Sequence, residues 1–351
     1  MKQRRTLGRI PGRALVAALC TSLTLTFAGG ASAEESLTLR YNQWFPATHW
    51  SQVDGLLDFF KQVETVTEGR VKIQPSAKPL APPTRNYQAV TSGIADLAWG
   101  PHGYTPGAFP LTEMVEFPFD NKDAEKSSVA YWRVFKQYFE PAGMQNDVHT
   151  LAMHVTSGGN LHMKDKAVVK PEDLNGMKIR VQTPVVSNAL QELGVAPISG
   201  SLVELREFLS RGVIDGTALS DELLVGFKVD KYINHVTHIP GGLYSNSAFL
   251  VVNKEKWMQI SEKDRAAIDK IAGEKLSARM GRLWDENDVR GRHYLTERLG
   301  GEYREASSEL MDALHKVFDP QRKQWFEVAR ENGVDGQAVM AFYRSEIEAQ
   351  Q

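Results

Sequence analysis

The stretch DLNGMKIRVQTP, residues 173–184, reads as a turn, a short strand and the approach to a helix. In MKIRV the apolar Met177, Ile179 and Val181 alternate with Lys178, Arg180 and Gln182. One face of such a strand packs on a core and the other presents polar groups. Arg180 therefore stands on rigid backbone. Its guanidinium is always charged and offers a planar fork of donors, which suits a carboxylate held in a cleft. Periodicity alone accommodates an internal salt bridge or a solvent-facing strand position equally well.

Working outward, the spacing predicts helices over residues 185–193 and 202–211, VIDGTAL as strand and loop, and GGNLHM upstream as a strand. The earlier chain alternates in the same manner. LTLRY, a helix over 51–67, VKIQP, a helix over 86–92 and a buried strand over 95–99 make a βαβαβ series, hence parallel pairing with right-handed crossovers. A Pro/Gly-rich connection, a helix over 123–139 and a strand over 150–154 follow. AFLVVN, residues 248–253, is continuously apolar, as a buried strand is. From Ser261 the chain reads as helix: a capped segment running on through residue 299, then 308–329 and 335–349. The fold class is α/β.

With 351 residues, 42% hydrophobic and 24% charged, the chain has the composition of a folded protein of about two domains. A net charge of −2 offers no basic field for nucleic acid. Residues 1–33 read as an export signal: Lys2, Arg4, Arg5, Arg9 and Arg13 precede an apolar run over 14–27, and Ala31-Ser32-Ala33 forms the processing site. That run is too short to span a bilayer. Adjacent Arg4-Arg5 hint at a twin-arginine route. Cys20, the only cysteine, follows the bulky Leu19, so no lipid anchor is expected, and the processed chain has no thiol for a disulfide. Removal of the signal deletes five basic and no acidic side chains. The expected product is a periplasmic protein without stable membrane insertion.

Nucleotide-binding loops, the G-x-S-x-G elbow, H-E-x-x-H and EF-hand loops are absent from the sequence, and no cofactor is called for. His235 and His238 lack a third ligand nearby and read as ordinary histidines, while Asp285, Glu286 and Asp288 read as a solvated helix face.

DLNGMKIRVQTP, APISGSLVELREFLSRGVIDG (196–216), KPLAPPTRNYQAVTSGIADLAW (78–99) and VVNKEKW (251–257) together resemble the DctP-type substrate-binding proteins of TRAP (tripartite ATP-independent periplasmic) transporters. The resemblance covers essentially the whole chain. It implies a two-lobe periplasmic binding protein fold with a hinged cleft, a long helix bridging the lobes, a small-molecule carboxylate ligand, and TRAP membrane permease subunits as partners. The lobes are expected over 34–157 with 245–285 and over 158–244 with 286–351. In that family the arginine of the IRV strand grips the ligand carboxylate, which assigns Arg180.

Many members carry a second arginine where this chain has Asn160, which hydrogen-bonds but supplies no charge. The departure argues against a C4-dicarboxylate and for a monocarboxylate, aromatic or hydroxy/keto. The loop DGTALSDE also departs from the family pattern and brings Leu219, Ser220 and Asp221 to the site. Loops after strands add Gln43, Trp44, Phe45 and His49, then His102 and Tyr104; aromatic rings with polar tips suit a flat ligand. Trp99 is expected in the core and Arg85 at the surface. Leu202, Tyr244 and Asn246 complete the candidates. A ligand sensor for a membrane receptor, or an exported enzyme using His102 as acid or base, is an alternative use of such a cleft.

Overall fold

In the computed structural model, which describes residues 36–121 and 123–350, the alternation of LTLRY turns Leu39 and Tyr41 inward from strand β1 (Leu37–Tyr41). Helix α1 (Asp58–Val66) is preceded by a wider-pitched turn over Ser51–Leu57 and buries Phe59, Phe60 and Val63. Strand β2 (Val71–Pro75), helix α2 (Asn86–Thr91) and strand β3 (Leu97–Pro101) complete the expected βαβαβ unit, with β2 and β3 both parallel to β1. Helix α3 (Ala124–Val134) and strand β4 (Val148–Val155) close this first half. The export segment expected over residues 1–33, with Cys20, lies outside the described residues.

The chain then builds a second sheet. Its elements are β5 (Asn160–Met163), β6 (Lys178–Val181), α4 (Pro184–Glu192), β7 (Ala196–Ser199), α5 (Leu205–Ser210), β8 (Gly216–Leu219), α6 (Asp221–Gly226) and β9 (His235–His238). It returns as the fully buried β10 (Ser247–Asn253), followed by α7 (Lys254–Gln259), α8 (Glu262–Asp269), α9 (Glu274–Leu299), β11 (Tyr303–Glu305), α10 (Ser308–Glu331) and α11 (Gly336–Glu348). One sheet has the order β2-β1-β3-β10-β4 and the other β11-β9-β5-β8-β6-β7. Each is the core of one lobe. Among the described residues no helix is long and apolar enough to cross a membrane.

Two segments carry the chain between the sheets, and they run side by side. Thr156 N–H donates to the Asn246 carbonyl at 3.0 Å, Gly159 N–H to that of Tyr244 at 2.8 Å, and Leu243 N–H to that of Gly159 at 2.8 Å. A Cβ at Gly158 would fall 2.8 Å from Gly242 Cα, so a side chain there would force the crossing strands apart. This narrow ribbon is the hinge.

The third crossing is α9. Ser261 caps only α8; the chain turns through Gly273, whose N–H donates to Leu151 of β4 at 2.7 Å, and restarts as α9. The single long helix expected from Ser261 is thus two helices, because β4 claims the backbone at the break. Helix α9 packs on α3 and β4 of the first lobe and on α6 and β11 of the second. Asp285 accepts from Ala124 N–H and Glu125 N–H, both at 3.0 Å, at the start of α3. Asp288 accepts from Asp221 N–H at 3.1 Å at the start of α6. Helix N-termini leave donors unsatisfied, so each of these side-chain oxygens holds one lobe's helix. Gly281 and Gly291 allow the approach: a Cβ would meet the Ala124 carbonyl oxygen at 2.3 Å and Glu222 Cα at 2.7 Å. The acidic cluster is therefore not a solvated face; only Glu286 is exposed.

The C-terminal helices, expected with the second lobe, divide between the two. Helix α10 touches residues 110–115 and α4, whereas α11 lies on α3, burying Val339, Met340 and Tyr343.

Burial, with the charge of Asp221 nearby, pushes the Asp288 carboxyl up to about 8. A raised acid pKa means that the folded state holds a proton that the unfolded chain releases above about pH 4. Its contribution to stability is full below that value and is lost as pH rises through about 8. Asp288→Asn keeps the accepting oxygen without the charge. Its thermal midpoint, relative to the unmodified chain, is expected to rise between pH 5 and pH 8.5. Asp288→Ala loses the acceptor as well, so its midpoint is expected to lie below that of Asp288→Asn throughout, by about 1 kcal/mol of stability, while rising with pH relative to the unmodified chain in the same way. Parallel melting curves for the Asn variant and the unmodified chain across that range would refute the linkage.

Candidate functional site

Strand β6 lies between β7 and β8, with Arg180 opposite Ile198 and Thr217. The alternation of MKIRV holds, but its polar face divides: Lys178 is exposed, whereas Arg180 is 0% exposed. Nε and Nη2 donate to the Gly200 carbonyl at 2.9 and 2.8 Å, which fixes the plane of the guanidinium. Nη2 also reaches Gln182 Oε1 at 3.4 Å. Nη1 is buried without a partner, and among the described residues no carboxylate pairs with Arg180. A buried charge in this state favours any anion that reaches it.

Two phenols stand close enough to feel that charge. Burial raises the hydroxyls of Tyr104 and Tyr244, the latter to about 12, against the pull of Arg180. Both are neutral at ordinary pH. Tyr244 donates to the Ala218 carbonyl at 2.9 Å. Tyr104, from the first lobe, accepts from Leu202 N–H of the second at 2.8 Å.

Next to Gln182, the partner of Arg180 on its strand face, the closed form leaves a narrow cavity with room for about one water. Trp44, Phe45 and Trp99 of the first lobe face Gln182, Leu202 and Leu223 of the second. Trp284 of α9, Pro101 and Ala248 of the first sheet and the hinge residues Thr156 and Asn246 complete the enclosure. The rings are held by one another: Trp44 stacks on Trp99 at 5.8 Å, and Phe45 stands edge-on to both at 4.9 and 5.2 Å. Trp44 Nε1 donates to the Trp99 carbonyl at 2.8 Å, and Trp99 Nε1 to His154 Nε2 at 2.9 Å. The result is a slot of fixed aromatic faces.

The lobes also meet directly. Glu222 Oε2 of α6 lies 3.2 Å from His49 Nε2 and accepts from Trp50 Nε1 at 2.8 Å. Phe45 meets Phe227 edge-on at 4.9 Å. These groups join the lobes next to α9, where Trp50 also packs edge-on against Trp284 at 4.8 Å.

Of the residues read from the sequence, Trp44, Phe45, Leu202 and Asn246 line one cavity beside Arg180 and Tyr244. Trp99, expected in the core, is part of the same wall. The others lie elsewhere. Gln43 braces its own loop by donating to the Phe45 carbonyl at 2.8 Å. His102 packs edge-on against Phe109 and Phe249, and burial pulls its pKa down to about 3. Leu219 is buried in β8, and Ser220 Oγ is buried without a partner outside the cavity wall.

Asn160 is occupied within the protein: Nδ2 donates to Asp221 Oδ1 at 2.9 Å, and Oδ1 accepts from Ile239 N–H at 2.9 Å. Asp221 also binds His162 Nε2 at 2.8 Å and Tyr303 OH at 2.6 Å. Burial raises its carboxyl, but these partners, His162 foremost, outweigh that and hold it below the usual range. Neither Asn160 nor Asp221 faces the slot. His235 pairs with Glu302 at 2.5 Å and His238 with Asn160 at 3.1 Å. Among the described residues no group of three or more His, Cys, Asp or Glu is arranged to hold a metal.

Gln182, Thr156, Leu223 and Trp284 were not anticipated. Gln182 alone carried a signal, as the polar neighbour of Arg180 on the same strand face. Trp284 enters on a helix remote in sequence from every strand loop.

Residues 44–328 match the family of bacterial extracellular solute-binding proteins, family 7. The outer membrane transporter protein TsaT of Comamonas testosteroni is 29% identical over 94% of this chain and 98% of its own. A TRAP periplasmic solute-binding protein of Bordetella bronchiseptica, solved with (R)- and (S)-mandelate, superposes with a TM-score of 0.85 at 30% identity, covering 90% of this chain and 100% of that one. A marine-metagenome TRAP protein in complex with 3-hydroxybenzoate gives 0.82 at 28% identity, covering 90% and 99%.

Glu222→Ala alters no residue of the cavity wall but leaves His49 and Trp50 without their partner across the cleft. Losing a charge-assisted hydrogen bond from the closed state is expected to weaken capture of a cleft ligand about tenfold. Titration calorimetry reads this directly, and an unchanged affinity would show that this contact contributes nothing to closure.

Proposed function

The chain belongs to the DctP family of bacterial extracellular solute-binding proteins, the substrate-binding components of TRAP transporters, and from that footing we propose that its closed cleft captures an aromatic monocarboxylate. Capture of a small organic acid for a TRAP membrane transporter is the function of the molecule. The family is a solute-binding one rather than an enzyme family. The aromatic assignment is carried by one observation: a fully buried guanidinium with an unpartnered Nη1 and no carboxylate partner adjoins a slot walled by four rings. The related proteins bound to mandelate and 3-hydroxybenzoate support it.

The mechanism follows from the geometry. With the lobes apart, water solvates Arg180 and either lobe presents half of the slot. A carboxylate meets the Nη1 side of the guanidinium, since the Nε–Nη2 edge is committed to Gly200. Closure buries the ion pair and brings Tyr104 onto Leu202 and Glu222 onto His49 and Trp50. Closing without an anion would leave the charge unpaired in a site without water, so acid binding and closure favour one another. The ring is taken up between Trp44, Phe45 and Trp99 on one side and Leu202 and Leu223 on the other, and these faces stand wider apart around it than in the empty closed form. Arg180 beside Gln182 is a single buried cation, and the cavity wall itself holds none, which favours a single carboxylate. No covalent step is needed. Export through the segment over residues 1–33, periplasmic residence and hand-over of the closed complex to permease subunits belong to the same reading.

A thermal-shift screen against benzoate-type acids, aliphatic acids and dicarboxylates tests it. Saturation at a hundred times the dissociation constant adds about 2.7 kcal/mol, a shift of several degrees. Aromatic monocarboxylates are expected to give the largest shifts. Arg180→Ala is expected to weaken binding at least tenfold, and Arg180→Lys also, since it loses both the fork and the Gly200 anchor. Silence of every aromatic acid on folded protein freed of carried-over ligand, or full affinity in Arg180→Ala, would sink the reading.

A further inference from the structure

The cleft holds a second cavity besides the aromatic slot, and among the described residues Gln182 alone lines both. This outer pocket, of about 490 Å³, lies between Gly103 and Tyr104 of the first lobe and the segments 182–188 and 199–204 of the second. Every other residue of the slot wall is buried, whereas Gln182 is half-buried. The outer pocket reaches solvent, with Thr84, Asn188 and Ser199 exposed on its rim. Gln182 is held at the partition from two sides. Its Oε1 accepts from Arg180 Nη2 at 3.4 Å. Gly103 packs on its backbone, where a Cβ would fall 3.5 Å from the Gln182 carbonyl oxygen and 3.3 Å from Thr183 Cγ2. The bond from Leu202 N–H to Tyr104 OH also runs between the cavities, with Tyr104 on the outer wall and Leu202 on the inner. No cationic side chain lines the outer pocket, and its one carboxylate, Glu204, already accepts from Ser201 N–H and Oγ at 2.8 and 2.7 Å. Its other hydrogen-bonding groups are neutral hydroxyls and the amide of Asn188.

We propose that Gln182 is a specificity-determining residue that limits the substituent beside the ligand's carboxyl group, and that the outer pocket is the space it withholds. The hydrogen bond to Arg180 fixes the position. A side chain bonded to the guanidinium stands next to the carboxylate that the guanidinium holds, so the α or ortho position of the acid faces Gln182. Parting of the ring faces does not relieve this contact, because Gln182 and Arg180 stand two residues apart on one strand face and move together. A compact acid passes beneath the amide, whereas a branch of several heavy atoms collides with it, and specificity follows from the clash. Shortening Gln182 joins the slot to the outer pocket, whose neutral donors and acceptors suit a branch ending in an amide and whose Glu204 disfavours an anionic one. Arg180 Nη2 keeps its bond to the Gly200 carbonyl at 2.8 Å, so the guanidinium stays in place when Gln182 is cut back. The inference rests on the aromatic-acid reading and adds the residue that bounds the ligand.

The test is titration calorimetry on the purified, ligand-free protein with paired acids: benzoate against 2-acetamidobenzoate, and phenylacetate against both enantiomers of N-acetylphenylglycine. In the unmodified protein each plain acid that binds is expected to exceed its branched partner by about tenfold or more, since even one methylene in a closed pocket is worth roughly 10- to 200-fold. In Gln182→Ala that preference is expected to fall below threefold for at least one branched acid, whatever happens to the plain acid itself. A merely structural role would weaken both members of a pair alike and leave the ratio where it was. If the branched acids bind within tenfold of the plain ones in the unmodified protein, no partition operates and the inference is refuted, while the aromatic-acid reading stands. A preference that stays at threefold or above for every branched acid in folded Gln182→Ala strikes Gln182 as the selecting residue. Gln182→Ser is read in the same way should the alanine variant not fold, and failure of both to fold makes Gln182 a structural residue and ends its assignment. If no acid of either kind binds the unmodified protein, the aromatic-acid reading falls and takes this inference with it.

Discussion

A guanidinium buried to zero exposure, held on one edge by a carbonyl and facing no carboxylate, is the constraint to which the rest of the closed structure answers. An isolated charge in a medium of low dielectric costs several kcal/mol even after relaxation. A surface arginine would avoid that cost. Here strand β6 points the group inward, Gly200 fixes its plane, and the first lobe closes over it with Tyr104. The closed form is thereby made conditional on an anion, which is what a capture protein requires: the open form is comfortable when empty and the shut form when loaded. The aromatic slot supplies apolar area, but the charge sets when that area is used.

The parts of this design that depend on local pattern were legible in the sequence. Alternation in MKIRV put Arg180 on a rigid strand, and alternating strands and helices in residues 37–101 predicted a parallel unit that β1, β2 and β3 form. Trp44 and Phe45 were found because ligand loops follow strands. What was illegible depends on partners distant in the chain. Trp284 reaches the slot only because α9 passes behind both lobes, and Leu223 only because α6 abuts the cleft. Asn160 was misread for the same reason: its amide is claimed by Asp221 and Ile239, pairings set by the strand order β9-β5-β8 and invisible in GGNLHM. Asp285 and Asp288 read as solvated because nothing nearby in sequence reveals that two helices begin against them.

The crossings between lobes play different mechanical parts. The paired segments at 156–159 and 242–246 are bonded to each other through the backbone, so they bend as one ribbon. Glu222 lies where two of the connections meet. Its side chain spans the cleft to His49 and Trp50, while its backbone packs against Gly291 of α9. One residue thus joins the two lobes and the bridging helix at a single point.

The two carboxylates of α9 also fix a length. Asp285 and Asp288 stand three residues apart, nearly one helical turn, and each receives the start of a helix from a different lobe. Inserting or deleting one residue between them would rotate one attachment about 100° around the helix and shift it about 1.5 Å along the axis. The loops of either lobe can therefore lengthen or shorten as the lineage diverges, whereas this short span of α9 behaves as a gauge: the relative setting of the two lobes is counted out in residues along a single helix.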